Sequence, residues 1–283
     1  MINRCIQICI LLVLLSANLL ASPGNLVIIG GGTRPPEVTR RFIDLAGGSD
    51  AIIVIFPQAS GYPQEVGPEL EAEFKELGVK SATYLLFDSS SVDSRQNLRS
   101  VRKASGIYFS GGDQSRLTRL MLDTRLLETI RDQHSQGVVL AGTSAGAAVM
   151  SALMITGNEL KNTDPDDPFT TIAPGNIEVV TGFGFVQNAV IDQHHIARRR
   201  NNRLMSVILE NPQLIGVGID ERTAIEVQPN GEWKVLGVGS VILYDARTAA
   251  SIAITAQDNF SVIGMTVHIL GPGQTFNPSK GTK

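Results

Sequence analysis

Five short apolar runs punctuate the first half of the chain, each closed by glycine or another turn-forming residue. They are NLVIIGGG (25–32), AIIVIFPQAS (51–60), SATYLLFD (81–88), SGIYFSGGD (105–113) and GVVLAGTSAG (137–146). Runs this short and this uniformly apolar predict strands buried on both faces, as in a parallel sheet. Between them, EVTRRFIDLAGG (37–48) and PELEAEFKELG (68–78) place apolar residues at helical spacing and stop on glycine. RLTRLMLDTRLLETIRDQHSQG (116–137) carries the same alternation of apolar and charged faces. Strand and helix in alternation predict βαβ units, hence an α/β fold with a mostly parallel central sheet flanked by helices. Right-handed crossovers then bring the strand C-termini to one edge, where such folds bind ligands.

Beyond Met150 the pattern loosens. NELKNTDPDDPF (158–169) is polar, acidic and proline-containing, which predicts a long surface loop. AVIDQHH (189–195) reads as a strand leading into a helix at ARRRNNRLMSVILE (197–210). The stretch 215–246 alternates around a PNGEW turn, which predicts antiparallel strands. These are expected to extend the same sheet, so that residues 25–275 form one domain.

The N-terminus follows another rule. One charge, Arg4, precedes the apolar run ICILLVLLSANLLA, and small residues follow. That is the layout of a secretory signal over residues 1–21, with cleavage after Ala21. An uncleaved anchor is the alternative, although the run is shorter than the ~20 apolar residues of a comfortable membrane span. Both cysteines, Cys5 and Cys9, lie inside this segment. A processed, secreted or periplasmic chain would therefore have no disulfide, thiolate metal site or cysteine nucleophile. The chain of 283 residues is 43% hydrophobic and 18% charged, with a net charge of −3. That balance argues against a nucleic-acid surface or a broadly basic membrane patch.

Candidate chemistry centres on Gly142-Thr143-Ser144-Ala145-Gly146. This is G-x-S-x-G placed between a strand and a helix-compatible stretch, the context of a nucleophile elbow. The tight turn needs small residues and leaves the serine hydroxyl at its tip. Backbone N–H groups of Ala145 and of Gly111 or Gly112 are the candidate oxyanion donors. A serine needs a base, and His194 and His195 end an apolar strand at the same sheet edge. Strand alternation points the two rings oppositely, so one of them faces Ser144. Arg198, Arg199, Arg200 and Arg203 follow, and guanidinium groups beside such a site suit carboxylate capture.

Together, VIIGGG, GIYFSGGDQSRLT, GVVLAGTSAGAAVM, DQHHIARRR and GVGIDERTA resemble the cyanophycinases and the related peptidase E enzymes. These are serine peptidases on a glutamine-amidotransferase-like, flavodoxin-like α/β fold. The resemblance implies Ser144 as nucleophile and His194 as general base and then acid. It implies a third, acidic member lying between the two in sequence. Glu159 is the leading candidate for that role, with Glu178 and the aspartates at 164, 166 and 167 as alternatives. For the oxyanion it implies Gly112 and Ala145. For substrate it implies Gln114, Asp192, Gln193, Arg198, Arg200 and Arg203. Cyanophycin, a poly-aspartate backbone with arginine on each β-carboxyl, offers carboxylates to the arginines and guanidinium groups to acids such as Asp192 or Asp113. The implied reaction releases β-Asp-Arg dipeptides through an acyl-enzyme and needs no metal or organic cofactor. A peptidase E-like aspartyl dipeptidase is the nearest alternative, and a polymer-binding homologue without activity is the third. A homodimer is also implied by the resemblance.

Overall fold

The computed structural model describes residues 22–161, 163, 164, 166 and 168–280, so the signal reading at 1–21 and Asp167 lie outside the described residues. In chain order the first half runs β1 (Leu26–Ile29), α1 (Pro36–Leu45), β2 (Ile52–Phe56), α2 (Pro63–Glu76) and β3 (Ser81–Tyr84). It continues with α3 (Arg95–Lys103), β4 (Gly106–Phe109), α4 (Gln114–Met121), α5 (Arg125–Ser135) and β5 (Val139–Thr143). The five strands coincide with the five apolar runs and pair in parallel in the order β1-β5-β4-β2-β3. β1 and β4 are buried at every residue, as strands covered on both faces must be. One face packs on α1 and α2, where Phe42, Phe74 and Tyr108 meet edge-on or tilted at 5.3–6.1 Å between ring centres. Burying each such ring stabilises the fold by roughly 1.5–3 kcal/mol. The other face packs on α3, α4 and α5 through Leu98, Leu117 and Leu127.

The helices differ from the pattern reading in several places, and α7 begins at Asn201 rather than at 197. α2 begins at Pro63 rather than Pro68, because a proline at the first helical position has no N–H to leave unpaired. The 116–137 stretch is two helices, broken where Asp123 turns to φ +59° and Thr124 caps α5 by accepting from Leu127 N. α3 escaped notice because RQNLRSVRK buries only Leu98 and Val101 among its apolar residues, a stripe too thin to register.

The second half runs α6 (Ala145–Ala148), β6 (Leu153–Glu159), β7 (Ile177–Thr181), β8 (Ala189–Gln193) and α7 (Asn201–Glu210). Then come β9 (Ile215–Ile219), β10 (Thr223–Val227), β11 (Trp233–Gly237), β12 (Val241–Asp245), β13 (Ser251–Ile254), β14 (Phe260–Ile263), β15 (Thr266–Leu270) and β16 (Thr275–Phe276). Here the expectation of a single extended sheet is corrected. β10, β11 and β16 do extend the large sheet, antiparallel and beyond β1, giving the order β16-β11-β10-β1-β5-β4-β2-β3. β8, β9, β12 and β15 instead form a separate four-stranded sheet in the order β15-β12-β9-β8. β6 with β7 and β13 with β14 are two further antiparallel pairs. The physical reason lies between Ile219 and Thr223, where the chain leaves the smaller sheet at the end of β9 and enters the larger one at β10. That crossing, the end of β8 and the glycine turn after β1 are tied together: His194 N donates to Gly30 O at 2.7 Å, and Gly30 N donates to Thr223 O at 2.9 Å.

Candidate active site

Ser144 occupies a backbone conformation that L-residues rarely adopt, φ 52° and ψ −110°, at the start of the one-turn helix α6. Its N–H donates to Ile29 O at 2.9 Å, which ties the turn to the end of β1. The flanking glycines leave no room for side chains. A β-carbon on Gly142 would lie 2.2 Å from Gly146 O, and one on Gly146 would lie 2.3 Å from Phe109 O. Backbone strain of this kind typically costs about 1–3 kcal/mol and persists where the surroundings over-determine it.

The strained turn delivers the Ser144 hydroxyl to His194, with Oγ 2.8 Å from Nε2. The opposite ring nitrogen, Nδ1, lies 2.6 Å from Glu221 Oε1. A carboxylate can only accept, so Nδ1 carries the proton and Nε2 of the neutral ring accepts from the serine O–H. Burial pushes the His194 pKa down, and the Arg198 and Arg200 cations push it the same way, against the Glu221 hydrogen bond. The net direction is below the ordinary value, which keeps the imidazole neutral near pH 7. His195 faces away as strand alternation requires, fully buried, with Nε2 3.2 Å from the Tyr244 hydroxyl.

The acid beside His194 is therefore Glu221, where the sequence reading expected Glu159. Glu159 ends β6 and accepts hydrogen bonds from Phe169 N at 2.7 Å and Asn176 Nδ2 at 2.8 Å, so its carboxylate anchors the following loop. Glu178 is likewise held by Thr156 and Asn158, and Asp164 accepts from Asp166 N. Glu221 was missed because the search was confined to residues between the serine and the histidine. A signal was nonetheless present: Asp220-Glu221-Arg222 is a charged triplet between two apolar strands, at the same sheet edge as the other two groups.

The glycines of VIIGGG clear space for this pair. A β-carbon on Gly31 would lie 2.4 Å from both Cε1 and Nε2 of His194, and one on Gly32 would lie 3.0 Å from Glu221 Cβ. Gly31 O accepts from Arg222 N at 2.9 Å, which holds the Glu221 turn against the same loop. Opposite, a β-carbon on Gly111 would lie 3.4 Å from Ser144 Cβ, so the Gly111–Gly112 turn runs beside the hydroxyl. Ala145 opens α6, and its N–H is among the donors that a helix start leaves without an intrahelical partner.

A cleft of about 370 Å³ opens in front of Ser144. Gly112 to Ser115 and Arg119 bound one side, Thr156 to Asn158 another, and Gln193, Arg198, Arg200 and Arg203 the third. Arg200 donates from Nη1 to Gln193 O at 2.8 Å and to the Gln193 side-chain oxygen, while its buried Nε has no partner among the described residues. Burial, then the neighbouring Arg203 and Arg198 cations, lower its pKa to about 10, so it stays charged at neutral pH. Arg198 is exposed at the rim. Asp113 caps α4 by accepting from Ser115 N at 2.8 Å, and its side chain is 47% exposed.

Two residues expected to meet substrate are spent elsewhere. Asp192 is only 1% exposed and is hydrogen-bonded by Arg203 and by its own neighbour Gln193 N. Burial pushes its pKa up, but the Arg203 cation together with the hydrogen bonds from His195 and Arg203 outweighs burial and keeps it ionised. It anchors Arg203, itself 1% exposed and lying 5.0 Å over the Phe169 ring, rather than receiving a substrate guanidinium. Gln114 is also committed, donating from Nε2 to Ile155 O at 2.9 Å and to Thr156 O at 2.5 Å, which fixes β6 as a cleft wall. Among the described residues no group of three or more His, Cys, Asp or Glu side chains could hold a metal ion.

The family model described as Peptidase family S51 matches residues 26–234, from β1 into β11. The chain belongs to peptidase family S51. It is a serine-type peptidase, with the mixed α/β fold of that family. This S51 peptidase is 34% identical over 261 residues to a cyanophycinase of Geminocystis herdmanii, covering 89% of this chain and 93% of that one. It is 34% identical over 262 residues to a cyanophycinase of Thermosynechococcus vestitus, covering 90% and 79%. A peptidase E of Nostoc sp. is more distant, at 24% over 182 residues, or 64% of this chain and 69% of that one. The crystal structure of a peptidase from an acI-B1 Actinobacterium superposes with a TM-score of 0.66 at 22% identity, covering 91% of this chain and 98% of that one. That likeness concerns the fold.

Proposed function

We propose that this S51 peptidase hydrolyses cyanophycin to β-Asp-Arg dipeptides, with Ser144, His194 and Glu221 as its catalytic triad. The observation that carries the reading is the hydrogen-bond chain from Ser144 Oγ through both nitrogens of His194 to Glu221. His194 Nε2 takes the hydroxyl proton as Oγ attacks a backbone carbonyl carbon. The carbonyl oxygen becomes an oxyanion that accepts from the N–H groups of Ala145 and Gly112, and Glu221 stabilises the imidazolium that forms. When the tetrahedral intermediate collapses, His194 gives its proton to the leaving amine and an acyl-Ser144 ester remains. Water, deprotonated by the same nitrogen, then attacks the ester, and the proton returns to Oγ.

The cleft chemistry supports this substrate. Arg198 at the rim and Arg200 in the cleft wall bring guanidinium groups suited to the α-carboxylates that the polymer's arginine groups carry. The intact hydrogen-bond chain argues for a working enzyme over an inactive polymer-binding homologue. Both curated relatives cited at 34% identity are cyanophycinases, whereas the peptidase E match is weaker and shorter. We also place the mature enzyme outside the cytoplasm, on the strength of Arg4 and the apolar run after it.

Incubating the purified protein with cyanophycin tests the reading. Wild type is expected to release β-Asp-Arg, and Ser144→Ala to lose at least about 10⁴-fold in rate. A serine-directed sulfonyl fluoride should label wild type and not the variant. Turnover of Asp-X dipeptides in place of the polymer, or undiminished release by Ser144→Ala, would overturn it.

A further inference from the structure

The catalytic cleft does not end at Arg119. A second hollow of about 640 Å³ adjoins it, and the two share Ser115, Arg119, Thr156 and Asn158 as common walls. The charge changes along the way. On the catalytic side the cleft is lined by Arg198, Arg200 and Arg203 with Asp113 as its acid, whereas the far hollow is lined by Glu178, Asp123 and the apolar side chains of Leu122 and Val180, with Arg119 common to both.

Glu178, on β7, is fixed in one orientation. Its Oε2 accepts from Thr156 Oγ1 at 2.7 Å and from Asn158 Nδ2 at 2.8 Å. These two donors belong to the wall shared with the catalytic cleft, and they hold the carboxyl ionised, below its ordinary pKa. Oε1 accepts no hydrogen bond among the described residues, so one carboxylate oxygen is left for a ligand. Asp123 stands exposed at the break between α4 and α5, held out by its left-handed backbone. A positive charge on a methylene stem fits this arrangement: the stem lies along Leu122 and Val180, and the charge meets Glu178 Oε1 and Asp123.

Resting on the substrate class proposed above, we infer that this hollow is a distal subsite for the guanidinium of a neighbouring substrate repeat, with Glu178 as its principal acceptor. Each repeat of the polymer carries a carboxylate and a guanidinium, and the two adjoining hollows offer mainly cations on one side and mainly acids on the other. Arg119, on the shared wall, supplies a donor to a carboxylate passing between the two. The subsite makes Glu178 and Asp123 determinants of arginine selectivity away from the bond that is cut.

The test uses synthetic oligomers of three β-Asp-Arg repeats and matched oligomers in which citrulline, neutral and of the same shape, replaces arginine one repeat at a time. Wild type is expected to favour arginine by about tenfold in kcat/KM at one repeat away from the scissile bond. Glu178→Gln and Asp123→Asn should each shrink that ratio, and Glu178→Lys should reverse it. Loss of the Thr156 and Asn158 contacts alone would depress both oligomers equally and leave the ratio intact, which would overturn the inference. Equal ratios in wild type and Asp123→Asn together with Glu178→Gln would do the same. Calorimetric binding of the oligomers to Ser144→Ala separates this site from the chemistry. Arginine-selective binding without turnover by wild type would support the subsite and sink the proposed reaction. Turnover without arginine selectivity would sink the subsite alone.

Discussion

One methyl group at Gly31 should cost this enzyme more activity than stability. Gly31 has φ +107°, and a β-carbon there would sit 2.4 Å from two atoms of the His194 ring. Carbon contacts are comfortable at about 3.5–4.0 Å, so in Gly31→Ala the ring must retreat by about 1 Å. His194 N is bonded to Gly30 O, so the ring has to swing about a fixed backbone. A swing of that size stretches the 2.8 Å Ser144–His194 contact beyond hydrogen-bonding range. Misplacement of about 1 Å at a reacting group costs roughly 10²-fold in rate. The strained φ adds about 1–3 kcal/mol, which a fold stable by about 5–15 kcal/mol survives. Gly48→Ala is the control, since Gly48 also has positive φ (+62°) but a β-carbon there would touch nothing within 4 Å. The assay is kcat on a peptide substrate, the rate of sulfonyl fluoride labelling and the urea midpoint, measured on both variants. Gly31→Ala should remain folded with both rates down about 100-fold, while Gly48→Ala loses stability only. If Gly31→Ala keeps wild-type rates, or loses them only in step with unfolding, the steric argument is wrong.

Two further outcomes follow from the same geometry. Glu221→Gln should lower kcat by about 10⁴-fold through loss of the ring's orientation and of imidazolium stabilisation, whereas Glu159→Gln should act through loop order and shift the melting temperature more than kcat; the reverse ranking would return Glu159 to the triad. The acid limb of kcat/KM should fall below about pH 6.5, because His194 must lose its proton to act and its pKa is lowered by burial and by Arg198 and Arg200. Arg198→Gln removes one of those cations, so the limb should move to higher pH, and a shift to lower pH would contradict the assignment.

Much of the machinery is legible from local chemistry. The elbow reads from Gly142-Thr143-Ser144-Ala145-Gly146 because a strand-to-helix turn of that tightness constrains its own residues. Four of the five parallel strands read from their apolar runs for the same reason, since burial on both faces leaves a mark on each segment separately; β3, at the sheet edge with Thr83 exposed, is only partly covered. His194 could be separated from His195 only by the resemblance, though alternation foretold that one ring would turn away. Glu221 is the counterexample. Its role depends on β9 and β10 lying in different sheets, so that the turn joining them passes the end of β8, and no property of IDERT taken alone records that crossing.

Asp192 makes the same point from the opposite side. By residue type it suits a substrate guanidinium, but packing encloses it with Arg203 and consumes its oxygens inside the wall. The chain on its own determined strand identity, the tight serine-bearing turn and the cationic character of the groove, because each is written in consecutive residues. Tertiary structure decided which carboxylate lies beside the imidazole, which arginines line the cleft and which acids face solvent. Those outcomes depend on distances between segments far apart along the backbone, and such distances are set by the packing of whole sheets.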